Sequence, residues 1–345
     1  MCDSKRKNPS SIMRIIAWLA IYQPLLFPLI FGGFMSQFQK NRFYFSNTVV
    51  FTLLVLLSLG AKAERSDNDV VVQSISQEEQ NAALKYWTPE RMAATQAMQA
   101  QAIKMINDDP GNVSESKRVS TPAATEILTA GLLFFRVNGE DSSCTANVVQ
   151  AATKSVIATA GHCVQSPANE HHERIDHLVF LLNYNHGRWD GRFPVRNIYT
   201  VNGWSQQGID GFDFAFLSVA HNNYGSRPGD LVIQTPIRFA APATQGTFSL
   251  YGYPNAIDEG EHLVKCSERA VFYPDPHGGG PRVRSLPYCH NFSEGASGGP
   301  ALQNLPDGTY QTGNVEGYVD RVGAATFTYW EAAAHGAWDR AQHDQ

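Results

Sequence analysis

Three short stretches hold side chains able to do nucleophilic chemistry together. Ser297 sits in Gly295-Ala-Ser-Gly-Gly-Pro300, where small residues allow a tight turn around the hydroxyl. A serine hydroxyl is a poor nucleophile at neutral pH and needs a base within hydrogen-bond reach, itself oriented by a third group. Among eleven histidines, His162 fits the base best, because the apolar run SVIATA ends at the small-residue turn Thr159-Ala-Gly-His-Cys163. The orienting group should be a buried acceptor. Asp213, in Gly211-Phe-Asp-Phe-Ala-Phe-Leu217, is an acid among phenylalanines at the start of a core strand, a costly placement without a partner. Asp210, in the preceding turn, reads as a turn residue. The chemistry open to these three side chains is acyl transfer through serine.

The elements that must position them change character along the chain. From Gly131 onward, short apolar or β-branched runs alternate with turn signals, among them LLFFRV, TANVV, LVFLLNY, IYTV, FAFLSV, TFSLYGY, AVFY, QTGNVEGYV and ATFTYW. Many short strands at this spacing predict an all-β barrel or sandwich rather than strands alternating with helices. Residues 330–340 predict one closing helix. Upstream, Ser76-Gln-Glu-Glu79 has capping-box spacing, and Thr88 before Pro89 marks a second helix start. Ala94, Met98, Ala102 and Met105 recur at helical spacing until Asp108-Asp-Pro-Gly111 stops the helix. That stripe is read as the packing face of a helical pro-segment. Residues 108–122 are a polar linker, with Lys117-Arg118 as a possible processing pair.

Composition bounds the class. The 345 residues are 43% hydrophobic and 17% charged, with a formal net charge of −5, which fits a globular protein and gives no reason to expect a nucleic-acid partner. Residues 35–63 combine Lys40 and Arg42, the apolar run ending at Gly60, and Ala61-Lys-Ala63, and are read as a secretory signal. Residues 1–34 are read as an upstream extension from a misassigned start. Their uncharged stretch 15–34 is long enough to be a membrane anchor, and a membrane association is expected only in that case. The expected location is therefore extracellular or periplasmic, with residues 64–118 as pro-segment and linker and residues 119–345 as the main domain. Cys144, Cys163, Cys266 and Cys289 are an even set suited to two disulfides in an oxidising compartment, and three pairings are open. A bridge from Cys163 back to Cys144 would hold the adjacent imidazole rigidly. No zinc-type spacing is present, His171, His172 and His177 read as a solvated loop, and no cofactor or metal is expected. A monomer is expected.

Thr159 to Cys163, Asp213 to Leu217 and Gly295 to Pro300, in the order His, Asp, Ser, resemble the three motifs of the trypsin-like (chymotrypsin-fold) serine peptidases. The resemblance covers residues 119–345 and implies two six-stranded antiparallel β-barrels with a C-terminal helix. It implies that Ser297 attacks a peptide carbonyl, His162 transfers the proton and Asp213 holds the imidazole tautomer. It further implies an oxyanion hole from the N–H groups of Gly295 and Ser297, and a substrate pocket at Asn291, Val315, Glu316, Gly317 and Tyr318. A Cys266 to Cys289 bridge would brace that pocket.

The departures are informative. Many members carry an aspartate before the nucleophile that pairs with a newly freed N-terminus; here Ala296 stands there, so activation by N-terminal insertion is not expected. The secreted bacterial branch related to glutamyl endopeptidases often lacks that aspartate, and residues 86–92 resemble its pro-segments. Asn291 is not the acidic pocket base of enzymes cutting after Lys or Arg, and residues 312–318 lack the histidine of glutamate-selective relatives. Gly295-x-Ser297-x-Gly299 also fits an α/β-hydrolase elbow, but that fold needs Asp and His after the serine and parallel strands. The alternative from another class is a catalytically silent protease-fold binding protein.

Overall fold

A computed structural model describes residues 69–107, 127–169, 173–242, 245–272, 283–286, 289, 292, 294–319 and 324–344. The expected upstream extension, signal, linker and Lys117-Arg118 pair lie outside these residues, as do His171, His172 and Asn291.

The strands form two antiparallel sheets. The first contains β1 (Val70–Ser74), β2 (Ala130–Val137), β3 (Glu140–Val148), β4 (Val156–Thr159), β5 (Ile175–Leu182), β6 (Gly191–Val201) and β7 (Ala215–Val219). Its order is β1-β6-β5-β2-β3-β4-β7, and a further β6–β7 pairing closes six of the strands into a barrel. The second contains β8 (Phe248–Gly252), β9 (Val264–Glu268), β10 (Val271–Phe272), β11 (Val283–Leu286), β12 (Pro300–Leu305), β13 (Gly308–Val319) and β14 (Ala324–Tyr329). Its order is β10-β11-β14-β13-β12-β8-β9, a curled half-barrel. Among the described residues, three helices of ten or more residues accompany them: α1 (Gln77–Tyr86), α2 (Pro89–Asn107) and the closing helix α3 (Ala332–Gln342).

Strand β2 shows how the sequence makes a barrel wall. Leu133 and Phe135 point into the barrel core, while Leu132 and Phe134 point outward into a second cluster beneath α1. Both faces are buried, so the period of two is hidden in a continuous apolar run. The half-barrel has its own core around Phe248, Leu250, Val264 and Phe327. A fourth cluster joins α3, through Ala334, Ala337 and Ala341, to the outer face of the first barrel.

The N-terminal segment differs from the expectation in two ways. Its described part contains a strand: Val70 to Ser74 pair with Val201 to Asn197 on β6. The capping box at Ser76 and Glu79 forms, and the Thr88 hydroxyl accepts from the Arg91 N–H at 3.3 Å. In α2, however, Ala94, Met98, Ala102 and Met105 face solvent, with Met98 and Met105 47% and 63% exposed. The buried face is Met92, Thr95, Gln96, Ala100 and Ile103. Gln96 decides the face: its amide donates to the Gly260 carbonyl at 3.1 Å and its carbonyl accepts from Ser143 at 2.6 Å. A glutamine with both ends satisfied inside outweighs two apolar side chains left outside.

Candidate active site

His162 lies in the turn that follows β4, and Asp213 between the 3-10 turn Asp210–Phe212 and β7. Because β4 and β7 pair directly, with Thr159 opposite Ala215, the two turns emerge side by side. Asp213 Oδ2 and His162 Nδ1 are 2.6 Å apart, and Asp213 Oδ1 accepts from the His162 backbone N–H at 2.8 Å. Both carboxylate oxygens are thus committed to one residue. The Asp213 side chain is 3% exposed and the imidazole 38%, so the acid is sequestered while the ring reaches solvent.

The Ser297 loop leaves the second sheet and presses against the first. A Cβ on Gly298 would lie 2.1 Å from Thr159 Oγ1 and 2.9 Å from Ala160 N, the residues just before the His162 turn. Gly298 also has φ +81, so only glycine satisfies both constraints. Thr145 on β3 clamps the loop twice. Its N–H donates to the Ser297 carbonyl at 2.8 Å, and its hydroxyl donates to the Gly295 carbonyl at 2.8 Å. The same hydroxyl accepts from the Tyr253 N–H at 3.0 Å. Gly295 has φ +88, and the space a Cβ would need is taken by the Tyr253 carbonyl, 2.4 Å away. The N–H groups of Gly295 and Ser297 donate to no backbone carbonyl of the described residues.

The opposite wall comes from β13. Val315 is buried in the half-barrel core and acts through its backbone, accepting from Gly298 N–H and donating to the Gly299 carbonyl, both at 2.8 Å. A bulge between Val315 and Gly317 throws Glu316 out of register. Its carboxylate accepts from Thr326 Oγ1 at 2.6 Å. Burial, with the Asp213 carboxylate nearby as the next contributor, pushes Glu316 up to about 7. Asn314 ties this wall to the His–Asp pair: its amide donates to the Asp213 carbonyl at 3.0 Å, and its own oxygen accepts from Trp330 Nε1 at 2.9 Å and Thr328 Oγ1 at 2.7 Å.

The structure brings together His162, Asp213, Gly295, Ser297, Val315 and Glu316, and Gly317 and Tyr318 continue the same strand. Cys144 bridges Cys163 beside the imidazole, and Cys266 bridges Cys289. Ala296 is fully buried in the half-barrel core, where a Cβ on Gly252 would lie 2.9 Å from its Cα. His177 lies on β5, where its Nδ1 donates to Asp176 Oδ1 at 2.7 Å beside the Tyr86 ring. Sequence reasoning missed Thr145 and Asn314. Interior polar side chains on strands carry no local signal of what they will hold.

A closed barrel and a curled half-barrel, with a buried aspartate on a histidine and a glycine-rich serine loop at their seam, are the chymotrypsin fold of bacterial serine proteases. The structure is similar to that of protease Anisep from Arthrobacter nicotinovorans, at 26% identity and a TM-score of 0.57, over 65% of this chain and all of that one. It is also similar to the thermostable serine protease AL20 from an extremophilic microorganism, at 27% identity and a TM-score of 0.55, over 63% of this chain and 98% of that one. A Glu endopeptidase structure aligns at 17% identity and a TM-score of 0.49, over 65% of this chain and 96% of that one. No family sequence model and no curated protein sequence matches the chain.

Proposed function

We propose that the chain is a serine endopeptidase that hydrolyses peptide bonds through an acyl-enzyme formed on Ser297. The observation that carries this reading is the 2.6 Å contact between His162 Nδ1 and Asp213 Oδ2, made where the Ser297 loop packs on the same turn. With Nδ1–H donating to the carboxylate, Nε2 is left as the acceptor for the serine proton. Asp213 fixes that tautomer and stabilises the cation that forms once the proton arrives. The Gly295 and Ser297 N–H groups receive the oxyanion, where a single donor contributes about 3 kcal/mol in the transition state. His162 then returns the proton to the leaving amine, and water repeats the sequence on the acyl-enzyme.

Substrate contacts are assigned to Asn291 and to β13, where Val315 holds the serine loop, Glu316 lies near the Asp213 carboxylate, and Gly317 and Tyr318 follow. Export is supported by the two disulfides, which belong in an oxidising compartment. Residues 64–118 are a pro-segment and linker, and activation does not proceed by N-terminal insertion, since Ala296 offers no carboxylate. Hydrolysis of casein by wild-type protein, with a loss of roughly 10⁴-fold or more in Ser297→Ala, tests the reading. Equal rates in the two proteins would sink it.

A further inference from the structure

Away from the His162–Asp213 pair, a second cluster of ligating side chains spans the two sheets. His186 stands in the turn between β5 and β6, Asp258 opens the 3-10 turn Asp258–Gly260 between β8 and β9, and His262 follows it. Asp258 Oδ2 lies 2.8 Å from His186 Nε2 and 2.9 Å from His262 Nδ1. The three ligand atoms fall within 4.8 Å of one another, and the two rings stack with planes 7° apart. We propose that His186, Asp258 and His262 form a surface site for one divalent transition-metal ion, best matched by zinc, that clamps the β5–β6 turn to the turn after β8.

The lone pairs argue for a cation. Asn185 Oδ1 sits against His186 Nδ1; with the ring proton on Nδ1 alone, the Nε2 lone pair faces the Asp258 carboxylate. Two acceptors aimed at each other need a proton or a metal between them, and a second histidine nitrogen converges on the same oxygen. A carbonyl on the far ring nitrogen is also the usual outer support of a metal-bound imidazole. Two imidazoles and one carboxylate suit zinc and its neighbours better than calcium or magnesium, which take oxygen ligands. Zinc bonds of about 2.0 Å in tetrahedral geometry set ligand atoms roughly 3.3 Å apart, about half an ångström longer than the two Asp258 contacts.

The surroundings leave the three ligands available. Glu261 is engaged by Tyr184 through its carboxylate, and its backbone carbonyl accepts from His186 N–H at 2.8 Å, while Glu259 faces Lys104. His186 and Asp258 are more than half exposed, so water can complete the coordination. The clamp would act on a working turn: Gly260 accepts from Gln96 of α2, and the Asn255 N–H donates to the Glu294 carbonyl beside Gly295. The cluster is separate from the Ser297 site, so the inference does not rest on the proposed peptidase activity.

The test is calorimetric titration of zinc chloride into the full secreted protein carrying Ser297→Ala to prevent self-digestion. One equivalent should bind with micromolar or tighter affinity and raise Tm by several degrees. His186→Ala with His262→Ala should weaken binding at least ~100-fold, and Asn185→Ala about 10-fold. Cobalt(II) bound to the unaltered histidines should give visible d–d absorption, a readout that needs no ligand variant to fold. Absence of zinc binding, absence of the cobalt spectrum, or undiminished binding by the double variant would each overturn the proposal.

Discussion

Thr145 shows how much one interior hydroxyl can do at this site. It is fully buried and holds the serine loop at both Gly295 and Ser297, so the direction of the proposed oxyanion donors depends on it. Replacement by valine keeps the shape but leaves the Gly295 carbonyl and the Tyr253 N–H without their buried partner, at about 1–3 kcal/mol each. Thr145→Val should therefore lower thermal stability and reduce kcat by more than it raises KM, since the misdirected donors act on the transition state. A variant with unchanged kcat would show that the loop holds itself. Glu316 makes a second test, through pH. Its value near 7 lies above the ordinary 4.5, so the folded protein binds an extra proton between those values. Stability should fall as pH rises from about 4.5 to 7 by roughly 3 kcal/mol and stay level above. Glu316→Gln should remove that slope and be the more stable protein at pH 8, measured by urea titration at a series of pH values. Unchanged profiles would place Glu316 in solvent. The His162–Asp213 contact was legible in the sequence because each residue sits in an unusual local setting. Thr145 and Asn314 were not, because their partners lie far along the chain, Gly295 for one and Asp213 and Trp330 for the other.

At the scale of elements, the N-terminal segment is built into the molecule rather than laid over it. Strand β1 extends the first barrel, and Trp87, fully buried, packs on Phe134 and donates to the His177 carbonyl at 2.6 Å. Arg192 caps the end of α1 through the carbonyls of Leu84 and Trp87. Trp87→Ala should cost about 3–5 kcal/mol, a loss of cooperativity or Tm that calorimetry would detect. A variant as stable as wild type would mean that the segment is dispensable. The helices were legible because their caps are local, and ten of the strand runs because β-branched and aromatic residues cluster in them. The packing face of α2 was not. Its apolar stripe points outward, and the polar Gln96 points in because Ser143 and Gly260 wait for it across the chain. Strand β1, with three consecutive valines, carried a usable signal that the helical caps next to it obscured.

Across the whole molecule, the seam between the sheets is where everything proposed converges. The first barrel supplies His162 and Asp213, the half-barrel supplies Ser297, and Thr145, Asn314 and Gln96 cross between them. Among the described residues, no helix is long and apolar enough to cross a membrane. The central claim is that the seam assembles a nucleophile with its base and oxyanion donors, and a fluorophosphonate probe reports that assembly without any knowledge of the preferred substrate. Incubated with the secreted protein and mapped by peptide mass spectrometry, the probe should modify Ser297 alone, and Ser297→Ala should take up none. A folded, processed protein that stays unlabelled, or one labelled at another serine, would contradict the account.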